Sequence, residues 1–287
     1  MRKPARHRLN QSMWFEIPLV LFLVCGFAAT TTAHEFWIEP STFQAADAEL
    51  IFVRLKAGEH FNGRSQPRNP RNTSSFRIRR GETSMDVNGQ PGDEPAGFVL
   101  LPGPGLYLLS YHSHPSNLNL DAKRFEACLL EEGLESIIKL RADRQQSDKL
   151  GRERFVRCAK SVVVAGNGKQ DGFDTILELP LEVVPERNPQ LLHIGDLLPV
   201  RILHEGKPLS NVLVHGRNTI DPANPVSART DAAGRVEIKL DCHGMWMISC
   251  VYMTEVEDHS DVDWESCWAS LTFEIEQGTQ PTTKSVP

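Results

Sequence analysis

Ten histidines stand in this 287-residue chain, and three of them have placements that could do chemistry. His112 and His114 form a His-x-His step in "LLSYHSH". On a strand, residues i and i+2 project from one face, about 7 Å apart, so both imidazoles can approach one ion. His34, in "TTTAHEFW", has a different potential. If the chain is cut before it, His34 offers two nitrogens of its own, the α-amine and the imidazole. An internal histidine cannot, because its backbone nitrogen is an amide. The α-amine has a reference pKa of about 7.7–8, so a metal displaces its proton at small cost near neutrality. His34, His112 and His114 together make a nitrogen-rich set suited to Ni(II), Co(II), Cu(II) or Zn(II). His60, beside a loop, ranks behind them as a ligand. His193, His204, His215, His243 and His259 are scattered and read as surface or turn residues.

The chain start carries the condition on His34. Arg2, Lys3, Arg6 and Arg8 precede the apolar stretch "IPLVLFLVCGFAA", and Thr31, Thr32 and Ala33 supply small residues after it. This layout predicts a secretory signal peptide over 1–33, cut between Ala33 and His34, and hence a secreted or periplasmic protein. The apolar run is shorter than the roughly 20 residues of a spanning helix. An uncleaved anchor is the alternative. A lipid-modified Cys25 fits poorly, since "FLVC" puts a bulky residue immediately before it. Cutting at 33 removes four of the 31 basic and one of the 37 acidic residues, moving the net charge from −6 to −9. Such an acidic protein is not built for nucleic acid or anionic lipid, which attract basic patches.

Other reactive groups say less. Cys128, Cys158, Cys242, Cys250 and Cys267 are odd in number and lack C-x-x-C spacing, which argues against a zinc ribbon. Disulfides of an oxidising compartment and buried apolar thiols both remain open. Arg152, Arg154 and Arg157 could bind an anion, but Glu153 and nearby acids point to a solvated ion-pair face. Asp258, Asp261 and Asp263 read as a solvated turn. No G-x-S-x-G, H-E-x-x-H or P-loop is present, so no catalytic residue is assigned and the protein is not read as an enzyme.

The elements that must position these groups are mostly short strands. "ELIFVRLKAG" and "SSFRIRRG" are strand-type runs ending in Gly, and "HFNGRSQPRNPRNTSS" between them has loop composition. "GFVLLPGPGLYLLSYHSH" reads as two strands around a Pro/Gly turn. A helical insertion spans about 119–150, capped at Asn119 or Asp121 and broken at Gly133. A strand returns at Ser161–Ala165. "VVPERNP" marks a boundary. Beyond it, "SARTDAAGRVEIKL" reads as strand, turn, strand, with Val236, Ile238 and Leu240 alternating against Arg235, Glu237 and Lys239, and "GMWMISCVYM" and "SCWASLTFEIE" complete a set of about seven short strands. Trp37, Trp246, Trp264 and Trp268 are expected to anchor the cores. The predicted fold is mainly β. A β-rich domain with the helical insertion covers 34–188, an Ig-like or transthyretin-like sandwich covers 189–276, and 277–287 forms a disordered tail.

"AHEFWIEP", "GRERFVRCAK", "EGKPLSNVLV", "RTDAAGRVEIKL", "GMWMISCVYM" and "DWESCWASLTFE", in this order, resemble a family of exported bacterial proteins. That family is described as periplasmic components of cobalt/nickel uptake, or nickel-uptake substrate-specific regions. The resemblance covers nearly the whole chain after residue 33. It implies a β-rich N-terminal domain, an Ig-like C-terminal one, and a metal ion with a membrane permease or other envelope protein as partners. Relatives often carry His where Tyr252 stands here, and a phenol is the poorer ligand for Ni(II) or Co(II). Cys128, Cys158 and Cys267 also depart from the family pattern, at positions where bulky residues are expected. The function expected is a periplasmic metal-binding accessory protein of nickel/cobalt-type uptake. Two other readings compete: a metal-independent envelope interaction module, and a copper enzyme of the N-terminal-histidine type acting on polysaccharide.

Overall fold

The computed structural model describes residues 35–257 and 261–277. The expected signal peptide over 1–33, His34, Asp258, His259 and nearly all of the 277–287 tail lie outside the described residues. The chain after this point forms β1 (Glu35–Pro40), β2 (Gln44–Ala45), β3 (Leu50–Glu59) and β4 (Asn62–Gln66). β5 (Thr73–Arg80), β6 (Thr83–Asp86), β7 (Gly97–Leu100), β8 (Gly105–Ser113) and β9 (Ser116–Leu120) follow. Helices α1 (Ala122–Glu131) and α2 (Glu135–Asp143) precede the long β10 (Gly151–Ala165) and β11 (Leu181–Pro185). The last third holds β12 (Leu197–His204), β13 (Lys207–Pro208), β14 (Leu213–Asn218), β15 (Val226–Arg229), β16 (Arg235–Lys239), β17 (Gly244–Glu255) and β18 (Trp264–Ile275). No described helix is long and apolar enough to cross a membrane.

Period-2 alternation decides the layers. Along β8, Leu106 and Leu108 enter one core while Tyr107 and Leu109 enter another, so this strand is buried on both faces. It belongs to a ten-stranded sheet ordered β15-β14-β17-β18-β10-β8-β5-β6, with β2 and β9 also paired to β10. A four-stranded sheet of β11, β12, β13 and β16 covers one face over Leu181, Val200, Ile238 and Leu271. The opposite face carries a second four-stranded sheet of β1, β3, β4 and β7 over Ile38, Val53 and Leu109. The helix pair covers the rest of that face, over Val251, Met253, Trp264 and Trp268. The protein is mainly β, with a β-sandwich in which the expected alternation holds: Val236 and Ile238 are buried and Arg235, Glu237 and Lys239 exposed. Trp37, Trp246, Trp264 and Trp268 are all buried.

Several local expectations change. The loop expected after His60 contains β4, joined to β3 by a two-residue turn with φ of 50° at His60 and 58° at Phe61. Positive φ at both positions is the type I′ geometry that matches strand twist. The strand expected at 161–165 begins at Gly151. Its first half is held by β9 on one side and by β18, running parallel, on the other. Nine residue pairs, Glu153↔Trp264 to Ser161↔Thr272, thus join segments from the two sides of residue 188 within one sheet. "SARTDAAGRVEIKL" is not a hairpin, because β15 pairs with β14 while β16 crosses to β12 in the other sheet. The helical insertion follows its sequence signals: the Asp121 carboxylate accepts the Arg124 N–H, and Gly133 (φ 67°) lets the chain leave α1.

Candidate functional site

Glu35 is the first described residue and stands opposite Gly58 in the β1–β3 pair. The turn at His60 and Phe61 therefore closes beside it, and the Phe61 N–H donates to Glu35 Oε2 at 2.9 Å. The other Glu35 oxygen accepts from Arg217 Nε at 2.5 Å. Arg217 projects inward from β14, its side chain only 3% exposed. Its Nη2 reaches Glu131 Oε1, on the last residue of α1, at 3.3 Å, and Nη1 reaches the Pro222 carbonyl at 3.4 Å. His60 Nδ1 lies 4.0 Å from the same Glu131 oxygen. A carboxylate at a helix C-terminus opposes the helix dipole, and the arginine offsets that conflict. One guanidinium thus ties together the first strand, the end of α1 and β14.

Glu132, the next residue, is buried. With Glu35 it lines an enclosed cavity of about 10 Å³, room for about one water, walled by Ser249, Cys250, Trp268 and Ser270. Burial raises the Glu132 carboxyl from its ordinary 4.5 to about 8; Glu35 and Glu131 add to the rise and Arg217 opposes it. The folded state therefore holds this proton more tightly than the unfolded chain. The resulting stabilisation is complete below the unfolded pKa and is lost as pH rises through about 8. Replacing Glu132 with Gln keeps the shape and removes the titration. Urea unfolding should show the wild type losing stability between about pH 5 and 8 relative to Glu132→Gln, and parallel pH profiles would refute the assignment.

His215, expected at the surface, is buried nearby. Its Nδ1 meets Ser227 Oγ at 2.7 Å and its Nε2 meets the Glu131 carbonyl at 3.2 Å. Burial, followed by Arg217, pushes its pKa down to about 4, so it stays neutral and pins the end of α1 to β14.

Of the four residues named as metal ligands, His34 lies outside the described residues and His60 stands at the site just described. His112 is half-buried in β8 and its pKa is lowered, first by burial and then by neighbouring His114. His114 is exposed, and its N–H donates to the Asn72 carbonyl. Among the described residues, no three His, Cys, Asp or Glu side chains cluster in a way that could hold a metal ion. Tyr252 packs on His204 with ring centroids 4.5 Å apart. Among the described residues, Cys128, Cys158, Cys242, Cys250 and Cys267 are unpaired thiols, with Cys158 and Cys250 fully in the core and their pKa values raised by burial. Sequence reasoning missed Glu35, Glu131, Glu132 and Arg217. The available signals were a carboxylate pair just before the helix-ending Gly133 and an arginine on an inward-facing strand position.

A family model described as "Domain of unknown function (DUF4198)" matches residues 31–254. No curated protein matches the chain. Among solved structures, the chain is similar to the "D0-D1 domain of Intimin", at 13% identity, covering 83% of this chain and 97% of that one with a TM-score of 0.19.

Proposed function

Starting from a chain that belongs to the DUF4198 family, a domain of unknown function, we propose that it is an exported transition-metal-binding accessory protein of nickel/cobalt-type uptake, holding the ion at the start of β1. The observation that carries this reading is the anchoring of Glu35 between Arg217 and the His60–Phe61 turn. The peptide bond sets His34 one Cα step, about 3.8 Å, from this fixed residue. The described residues offer one imidazole, His60, and one carboxylate, Glu131, 4.0 Å apart. Arg217 and His60 both approach Glu131 at Oε1, which leaves Oε2 for an ion. The amine and imidazole of a cleaved His34 would raise the donor count to four, a nitrogen-rich set that fits Ni(II) or Co(II), with Cu(II) or Zn(II) as competitors. His112 and His114 form a separate pair in this reading.

The test begins with the N-terminus of protein exported by its native host, followed by calorimetric titration of that material with Ni(II), Co(II), Cu(II) and Zn(II). One ion should bind per chain, and His60→Ala should weaken it by about tenfold or more. A glycine added before His34 should remove the amine from the chelate and weaken binding further. A mature chain starting elsewhere, or unchanged affinity in His60→Ala, would remove this site. No stabilisation by any of the four ions in a thermal melt favours the metal-independent envelope module instead.

A further inference from the structure

A second pocket lies on the far side of Phe36 and shares no titratable group with the metal site. It opens between β1, β4, the loop after β4, and the ends of β8, β9 and β10, with a volume of about 280 Å³. That is near the lower bound of roughly 300 Å³ for small-molecule pockets. Its walls are Phe36, Phe155 and Tyr111, its rim is set with Asn72, Ser116 and Asn117, and its one charged side chain is Arg157.

Arg157 differs from its neighbours in "GRERFVRC". Arg152 pairs with Asp263 at 2.7 Å and Arg154 with Glu265 at 2.8 Å, as an ion-pair face requires. The guanidinium of Arg157 has no hydrogen-bond or ion-pair partner among the described residues, contrary to the solvated ion-pair face expected for all three. It lies 5.0 Å from the Phe36 ring centroid and 5.2 Å from that of Phe155. Its backbone is fixed by an N–H donated to Ser113 Oγ at 2.9 Å. Burial lowers its pKa, and the neighbour that counters this is the Tyr111 phenol rather than a carboxylate. Tyr111 in turn feels Arg157 and Arg68, so this wall is electropositive within an acidic protein. A half-buried arginine held between two aromatic rings, with no counter-charge among the described residues, is left with its charge open to an anion.

We propose that this pocket binds a small organic carboxylate, with Arg157 forking the carboxylate and the amides of Asn72 and Asn117 reading its neutral polar groups. The rigid guanidinium fork matches two carboxylate oxygens, and one positive charge balances one negative charge. A phosphate dianion would need a second cation. The other nearby one, Arg68, is engaged elsewhere, donating to the Ala96 carbonyl at 3.2 Å. Phe36 and Phe155 suit the apolar part of the ligand, and the modest volume excludes a polymer chain.

The experiment uses the purified full-length exported protein in a buffer free of carboxylates. Lactate, D-galacturonate and benzoate are titrated beside their neutral counterparts lactamide, D-galactose and benzamide, with inorganic phosphate as a separate arm. At least one carboxylate should bind saturably and raise the melting temperature, and its neutral counterpart should do neither. Arg157→Met keeps the stem between the rings and should weaken that carboxylate by about tenfold or more. Without ligand it should melt no lower than the wild type, since no ion pair is lost. Arg157→Lys, which keeps the charge and loses the fork, should fall between the two, and it carries the test together with Asn117→Ala if Arg157→Met does not fold. Failure of all three carboxylates, undiminished binding in the Arg157 variants, or phosphate binding as tightly as the best carboxylate overturns the proposal. None of these outcomes bears on the metal site, which uses different residues.

Discussion

Glu182→Gln is expected to destabilise the protein by about 3–5 kcal/mol at neutral pH, because it strips the counter-charge from a lysine sealed between two sheets. Lys160 on β10 and Glu182 on β11 are each about 1% exposed, with Nζ and Oε1 2.8 Å apart. The carboxylate also accepts the Leu177 N–H at 2.8 Å and the Leu179 N–H at 3.3 Å, so it organises the chain entering β11. Desolvation lowers the Lys160 pKa and Glu182 counters it. Without Glu182 the lysine is stable in the interior only as the neutral amine. A folded pKa below the unfolded one means that the unfolded chain binds more protons, so stability in this variant rises with pH. Urea unfolding should therefore show Glu182→Gln less impaired at about pH 9 than at about pH 6. The double variant Lys160→Met/Glu182→Gln removes the charge and retains an amide oxygen for the Leu177 N–H, and it should recover most of the loss. A double variant as unstable as the single one would show that the charge pair is not the source.

Arg217→Met should cost a comparable amount, about 3–5 kcal/mol, for a related reason with a local consequence. It leaves Glu35 and Glu131 facing each other without the cation that joins them. The start of β1 should loosen, since Glu35 then holds the His60–Phe61 turn alone. Hydrogen exchange at the Phe36, Trp37 and Phe61 amides should quicken in this variant more than exchange at β12 or β16. Arg217→Lys should fall between, because an ammonium cannot span two carboxylates and the Pro222 carbonyl as a planar fork does. Uniform acceleration across all strands, or none, would show that Arg217 does not fix this corner. If the metal reading holds, Arg217→Met also weakens the ion, whereas Glu182→Gln leaves its affinity unchanged in protein that is still folded.

The readable parts of this fold were those governed by neighbours in sequence. Alternation in "GRVEIKL" identified β16 and its buried face. Asp121 and Gly133 bounded α1 through cap chemistry that acts within a turn. The unreadable parts depended on partners far along the chain. The Arg-rich start of β10 looked solvated, yet β18 and β9 flank it, and Glu153 is fully buried with the Ser266 hydroxyl and the Trp268 indole N–H donating to it. β4 was masked by loop-type composition, because a type I′ turn at His60–Phe61 leaves no glycine to announce it.

By itself, then, the sequence determined the β character, the helical insertion and the conditional value of His34, whose chelate depends on one peptide bond. Those follow from periodicity, capping and covalent structure, which act over a few residues. Tertiary structure decided which charges lost their water. It joined Arg217 to Glu35 across 182 positions, sealed Lys160 with Glu182, and left Arg157 between two phenyl rings with no acidic partner among the described residues. Desolvation belongs to the packed layers and not to any local pattern, so the residue types could be listed beforehand but their ionic roles could not.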